Sequence, residues 1–293
     1  MQSLPPLLTS KLTGLSKRDL TLLNKKQRLL RATNVQASTK QPHLTQAIAA
    51  TLVFAQHAAG TAVCVSAEGV LLTCAHCVAE NEEALDSEGG RTKWLLFASG
   101  QVVRAECTAW DPKCDLALLT ITATQAPTTH EAGSSSTHGS NHIVYPFVEL
   151  AERSPAVKTP LVCIGHPGSE DLETSKAGVK TGYDVLHVSE GLFRGHAPDQ
   201  DLHDNSDIGA LMHDCWTYWG HSGAPLVERK TGRLVGLHSS WDDETGMRRG
   251  IAWETIGEFL NAYELGSGSC GVPQGARRHR VEGESESRPI DLT

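Results

Sequence analysis

Between residues 47 and 253 short apolar, often β-branched stretches alternate with polar breaks of Gly, Asp and Glu. That pattern predicts strands at Ala47 to Gln56, Gly60 to Ser66, Val70 to Thr73, Lys93 to Phe97, Gln101 to Ala109 and Asp115 to Thr122. A second set is predicted at Ile143 to Leu150, Pro160 to Gly165, Val185 to Arg194, Ile208 to Asp214, Ala224 to Arg229, Arg233 to Ser239 and Met247 to Trp253. Lys230-Thr231-Gly232 supplies a hairpin turn between two of these. The two sets are separated by Ala123 to His142, rich in Thr, Ser, Gly and His, which reads as a linker or surface loop. Many short strands at such spacing point to an all-β barrel or sandwich rather than to βαβ units.

Helical periodicity is confined to the ends. Ser16 is placed to cap a helix over about 17–31, with Leu20, Leu23 and Leu30 on one side. Thr255-Ile256-Gly257-Glu258 has the form of a capping box opening a final helix to about Leu265. From Gly266 to Thr293 the chain is rich in Gly, Ser, Arg and Glu and is expected to be a disordered tail. Residues 1–46 carry Asp19 as their only acidic residue against Lys11, Lys17, Arg18, Lys25, Lys26, Arg28, Arg31 and Lys40. The expectation is a basic, loosely ordered extension with a solvated helix. An organelle transit peptide, or an arm for an acidic partner, fits the same composition.

At 293 residues and 39% hydrophobic, the chain can bury one large core or two small ones. A net charge of -8 argues against nucleic acid binding across the whole surface. No stretch of about 18 apolar residues is present, so no membrane span is expected. Met1 to Leu8 lacks the charged-then-apolar form of a secretory signal. The eight cysteines are therefore expected to be reduced thiols of an intracellular, cytoplasmic protein.

Three segments carry candidate chemistry. Trp219-Gly220-His221-Ser222-Gly223-Ala224-Pro225-Leu226 sets a serine among glycines, and a serine hydroxyl is a nucleophile only when a base takes its proton. Thr73-Cys74-Ala75-His76-Cys77-Val78 offers that base, and Asp111-Pro112-Lys113-Cys114-Asp115-Leu116-Ala117-Leu118 offers a carboxylate to orient it. Taken singly, each is more often a turn, cap or structural residue. In combination they assign Ser222 as nucleophile, His76 as base and Asp115 as its partner. The Gly220 and Ser222 N–H groups are then the donors to an oxyanion, with Gly220 permitting the unusual backbone.

These blocks resemble the trypsin-like (chymotrypsin-fold) serine peptidases, and above all the HtrA/DegP and glutamyl endopeptidase branches. The similarity runs over about 47–265. It implies two six-stranded antiparallel β-barrels, about 47–122 and 143–265, followed by a C-terminal helix. The catalytic groups would lie in the cleft between the barrels, with about 123–142 as the connection. It further implies a serine endopeptidase acting on polypeptides, with no cofactor and no metal. Ile164-Gly165-His166-Pro167-Gly168 and Gly250-Ile251-Ala252-Trp253 are lesser echoes.

The family pattern is departed from at His221, where an Asp or Asn precedes the serine, and at Ala224, which replaces a glycine. Cys77 follows the histidine as in trypsin, but its usual disulfide partner would fall near Ala59. No PDZ module is expected after residue 265. Thr217 and His238 stand where glutamyl endopeptidases bind an acidic side chain, and related viral peptidases use such a pair for Gln. The resemblance thus implies Glu, Asp or Gln before the scissile bond (P1). Ser239-Ser240-Trp241 would be the edge that pairs with substrate backbone. Two other readings stay open. One is a protease-fold binding module, with His221 or Trp216 blocking the site. The other treats Cys74-Ala75-His76-Cys77 as a redox or half-zinc motif, for which scattered candidates such as His203, His213 and Cys215 lack a recognised spacing.

Overall fold

The computed structural model describes residues 2–4, 15–33, 41–56, 60–125, 143–170, 174–176 and 178–267. A short strand β1 (Gln2–Leu4), a basic helix α1 (Lys17–Thr33) and a helix α2 (Pro42–Ala49) come first. Then follow β2 (Thr51–Phe54), β3 (Thr61–Cys64), β4 (Val70–Thr73), the one-turn helix α3 (Ala75–Val78) and α4 (Glu82–Asp86). β5 (Thr92–Phe97), β6 (Val102–Asp111) and β7 (Leu116–Gln125) complete the first half. The second half holds β8 (Pro160–Gly165), β9 (His187–His196), β10 (Leu211–His213), β11 (Pro225–Glu228), β12 (Leu234–Trp241) and β13 (Arg248–Ala252). Helix α5 (Trp253–Ser267) ends the described chain.

Both halves close into six-stranded antiparallel barrels, as expected. In the first the strands run β7-β4-β3-β2-β5-β6, with β6 paired back to β7; in the second they run β10-β13-β12-β11-β8-β9 and close through β9 and β10. One addition was not expected: β1 joins the end of β7 in parallel, Gln2 opposite Ala123. The β11–β12 hairpin turns at Lys230-Thr231-Gly232, where Gly232 takes the positive φ of 71° that the turn requires.

Three local expectations are corrected. Ala47 does not begin a strand. Pro42 opens a helix instead, its ring suiting the first helical turn, and β2 starts only at Thr51. Ile143 to Glu149 form no strand ladder, and Leu150 makes only an isolated bridge to Leu234. The segment crosses from one barrel to the other: Tyr145 N and Val148 N donate to Ala67 O and Cys64 O, and Leu234 N donates to Glu149 O. Thr255 and Glu258 are not a capping box. α5 already begins at Trp253, while Thr255 is buried and its hydroxyl donates to Leu202 O at 2.6 Å. Of the expected connection at 123–142, β7 takes the first three residues, and 126–142 lie outside the described residues, as does the tail from 268.

The largest correction concerns α1. Ser16 caps it as expected, accepting from Asp19 N at 3.1 Å. The helix is not solvated, however: Leu23 and Leu30 are buried in the first barrel's core, with Leu20 packed beside them. Lys26 and Gln27 lie on the same face, three and four residues from Leu23. Buried Lys26 donates to Phe54 O (2.6 Å) and Gln56 O (3.3 Å), and Gln27 Nε2 donates to Gly100 O (2.8 Å) and Gln125 Oε1 (2.7 Å). Burial pulls the Lys26 pKa down to about 7, against the opposing pull of Asp19. The basic composition concealed this docking because a lysine stem packs as a hydrocarbon while its tip satisfies carbonyls. Leu30→Ala is therefore expected to lower the unfolding free energy by about 2–5 kcal/mol, read by urea denaturation of the full chain. A loss below about 0.5 kcal/mol, the surface value, would contradict a docked helix.

Candidate active site

The turn Asp111-Pro112-Lys113-Cys114-Asp115 joins β6 to β7. Asp111 Oδ1 accepts from the backbone N–H of Lys113 (2.9 Å) and of Cys114 (3.0 Å), which folds the turn and leaves Asp115 at a positive φ of 53°. A non-glycine residue there is under local strain, and the surroundings hold it. Asp115 O accepts from Ala75 N at 3.1 Å, and Trp110 Nε1 donates to Ala75 O at 3.0 Å. Helix α3 is thereby pinned against β6 and β7. The Asp115 carboxylate lies 2.9 and 3.0 Å from His76 Nδ1 and accepts from His76 N at 3.2 Å. Its side chain is 9% exposed against 48% for His76, so the carboxylate is shielded while the ring stays reachable.

Burial disfavours the charged His76 ring. The Cys77 sulfur and the Asp115 carboxylate both favour it and prevail, holding the His76 pKa above its ordinary value. With Nδ1 facing the carboxylate, Nε2 is the nitrogen turned to the cleft. The same turn brings Cys74 Sγ, His76 and Asp115 donor atoms within 4.8 Å of one another. The cluster includes the His76–Asp115 hydrogen bond, made through Nδ1.

Ser222 sits in the turn before β11, and its loop is anchored across both barrels by Thr61. Thr61 N donates to Ser222 O at 2.8 Å, and Thr61 Oγ1 donates to Gly220 O at 3.0 Å. The same hydroxyl accepts from His166 N at 3.0 Å, while Thr61 O accepts from Thr73 Oγ1 at 2.7 Å. Gly168 N donates to Trp219 O at 2.6 Å, so the peptide plane from Trp219 turns its other edge, the Gly220 N–H, the opposite way. Gly220 has φ +96°, and a Cβ there would lie 2.5 Å from His166 O. Among the described residues neither Gly220 N nor Ser222 N has a hydrogen-bond partner. The Ser222 hydroxyl itself donates to Ser239 O at 3.0 Å rather than to His76.

A cleft of about 490 Å³ brings together His76, Asp115, Ser222, His238, Ser239 and Ser240. Thr217 is not on it. It lines an adjoining cavity of about 360 Å³ with Trp216, Asp242 and Arg248, and Tyr218, Trp241 and Asp243 border both. Thr217 is buried, and its hydroxyl lacks a hydrogen-bond partner among the described residues. His238 Nδ1 lies 3.1 Å from His213 Nε2, and both rings are buried. Burial first, then neighbouring charges, pushes the His213 pKa down to about 3 and that of His238 well below its ordinary value, so both stay neutral at pH 7. His221 is buried too, its Nδ1 against Tyr218 N (3.1 Å) and O (3.0 Å), and burial lowers its pKa to about 3. Its ring lies so close to Gly165 that a Cβ there would meet His221 Cδ2 at 2.3 Å. Both His221 and Trp216 thus pack beneath the serine loop, edge to face at 5.5 Å, and neither lines the cleft.

β12 outruns its neighbour. β11 pairs with it only as far as Leu237, whereas β13 pairs with it to Trp241 and the register shifts between His238 and Ser240. Among the described residues no strand pairs with Ser239 to Trp241 on the side away from β13, beside Ser222. Two residues were missed in the sequence. Thr61 is one. Asn205 is the other: it lines the cleft, donates from Nδ2 to Cys114 O (3.4 Å) and Leu202 O (2.9 Å), and braces the Asp115 turn from the second barrel. No local signal marks either, because their partners across the barrels lie 91 or more residues away. The seven described cysteines are all free. No described helix is long and apolar enough to cross a membrane.

The family model described as a trypsin-like peptidase domain matches residues 60–237. No curated protein matches the chain. Among solved structures, an inactive serine-to-alanine mutant of Rv3671c from M. tuberculosis H37Rv is similar at 15% identity and a TM-score of 0.52, over 78% of this chain and 93% of that one. A second structure, Rv3671c protease in an inactive form, is similar at 16% identity and a TM-score of 0.50, over 77% and 94%. The HtrA-type protease AlgW with a decapeptide is 21% identical over 70% of this chain and 51% of that one, with a TM-score of 0.47. At these identities the likeness is one of fold.

Proposed function

The chain belongs to the trypsin-like peptidase family, and we propose that within it the protein is a serine endopeptidase that works through Ser222, His76 and Asp115. The observation that carries this reading is the Asp115 carboxylate within 3.0 Å of His76 Nδ1, on a cleft that Ser222 also lines. Rotation of the Ser222 side chain away from Ser239 O brings Oγ toward the imidazole, a tightening common once substrate is bound. Oγ then attacks the scissile carbonyl carbon while His76 Nε2 takes its proton. The oxyanion faces the unpartnered Gly220 and Ser222 N–H groups, each worth about 3–4 kcal/mol to the transition state. Collapse breaks the C–N bond, His76 returns the proton to the leaving amine, and water releases the acyl group by the same route in reverse. Asp115 holds the ring's tautomer and steadies its charged form. The free edge of Ser239 to Trp241 pairs with substrate backbone as an added strand.

We further propose that P1 is Glu, Asp or Gln. His238 and the hydroxyl of Thr217 are neutral hydrogen-bonding groups beside the cleft, and Arg248 lines the cavity Thr217 belongs to. These suit a side chain ending in an acceptor oxygen. The second reading, a non-catalytic binding module, has one observation in its favour: the Ser222 hydroxyl rests on Ser239 O.

A fluorophosphonate probe separates the two readings. It is expected to label the wild-type protein and not Ser222→Ala, and equal labelling of both would remove the assignment. The pH profile carries a sign. A base must be neutral to act, and the His76 pKa is raised, so kcat/KM is expected to climb along a limb above pH 6.5. A limb below that value would contradict the described pairing. In a positional-scanning peptide library, cleavage is expected after Glu, Asp or Gln; preferred cleavage after basic or large apolar residues would discard the specificity proposal.

A further inference from the structure

Two thiols flank His76 on its one-turn helix. Cys77 N donates to Cys74 O at 3.2 Å, which closes a four-residue turn. Such a turn keeps its end Cα atoms within about 7 Å, the span a disulfide needs. Each thiol also ties the His76 turn to the second barrel: Cys74 Sγ donates to His238 O at 3.5 Å, and Cys77 Sγ to Ser222 O at 3.4 Å. Cys77 is half-buried and Cys74 is buried. Gly60 makes the room, since a Cβ there would lie 2.7 Å from Cys77 Sγ.

We propose that Cys74 and Cys77 are an oxidation site, forming a reversible disulfide with hydroperoxides that switches the Ser222 centre off. The switching half rests on the Ser222 reading above; the bond itself does not. In the first step the Cys77 thiolate attacks a peroxide oxygen, the O–O bond breaks, and the departing oxygen leaves as water or an alcohol. In the second, Cys74 sulfur attacks the Cys77 sulfenic acid and expels its oxygen as water. Two thiols are oxidised and one peroxide is reduced.

Site selectivity follows from surroundings. The neighbouring Cys74 thiol, then His76, brings the Cys77 pKa down to about 6 against the cost of burial. Burial instead raises Cys64, Cys114 and Cys215 to about 12 and Cys107 to about 11. Closing an S–S bond of about 2.05 Å pulls Cys77 off Ser222 O and Cys74 off His238 O, and it turns His76, one of the two residues between them.

The test treats the reduced full-length protein with stepwise hydrogen peroxide. The peptide carrying both cysteines is expected to become two hydrogens lighter and refractory to alkylation. In step with this, the rate of fluorophosphonate labelling is expected to fall about 10- to 100-fold, the scale of a 1 Å misplacement, and to return with dithiothreitol. Cys77→Ser should show no peroxide-dependent loss relative to its own untreated sample, and in Cys74→Ser any loss should come without an intramolecular bond and with Cys77 at the sulfenic acid or beyond. Undiminished labelling with the bond formed, the same loss in Cys77→Ser, or oxidation of the wild type without a Cys74–Cys77 bond would each overturn the proposal. Reduced wild-type protein that takes no label would instead overturn the Ser222 reading and the switching half with it, while the mass measurement still reports the bond.

Discussion

Thr61 is the point at which the two barrels are made into one site. It lies in β3 of the first barrel, wholly buried, and all of its polar atoms are engaged. Its N–H and hydroxyl hold the carbonyls of Ser222 and Gly220, its hydroxyl also takes the His166 N–H, and its carbonyl takes the Thr73 hydroxyl. A loop that leaves two N–H groups without a partner among the described residues needs its carbonyls fixed elsewhere, or the peptide planes would turn to satisfy themselves. Thr61 and Gly168 provide that fixing. Gly223 shows how tightly the loop seats: a Cβ on it would come within 2.1 Å of Thr61 O.

Around this anchor the site sorts its histidines by environment. His166, His213, His221 and His238 are buried and kept neutral, so they serve as packing and hydrogen-bonding groups. His76 alone among these five is exposed and sits on a carboxylate, which raises its affinity for a proton. A ring that must accept a proton and give it back belongs in the second environment; a ring that must offer a fixed hydrogen bond belongs in the first. His221 belongs with the first group, packed edge to face on Trp216 and held against the Tyr218 backbone.

The local segments were legible because their chemistry is local. The Asp111 turn, the α3 helix with His76 and the Ser222 loop each carry a short motif of their own, and the family resemblance of those motifs in that order implied the barrels and the cleft. Thr61, Asn205 and Lys26 were hidden, since each acts through a backbone carbonyl 28 or more residues distant. A carbonyl has no sequence signature. Thr217 was legible by position, but its cavity is set apart from the cleft by Tyr218 and Trp241, whose side chains the spacing alone does not place. The docking of α1 was likewise unreadable, because its buried face mixes two leucines with a lysine and a glutamine.

The central claim is that Ser222 forms an acyl-enzyme. An activated ester mixed rapidly with excess over protein measures this most directly. The account predicts a burst of one leaving group per protein, followed by slower turnover, and no burst from Ser222→Ala. Turnover without a burst in the wild type, or a burst that survives in Ser222→Ala, would contradict it.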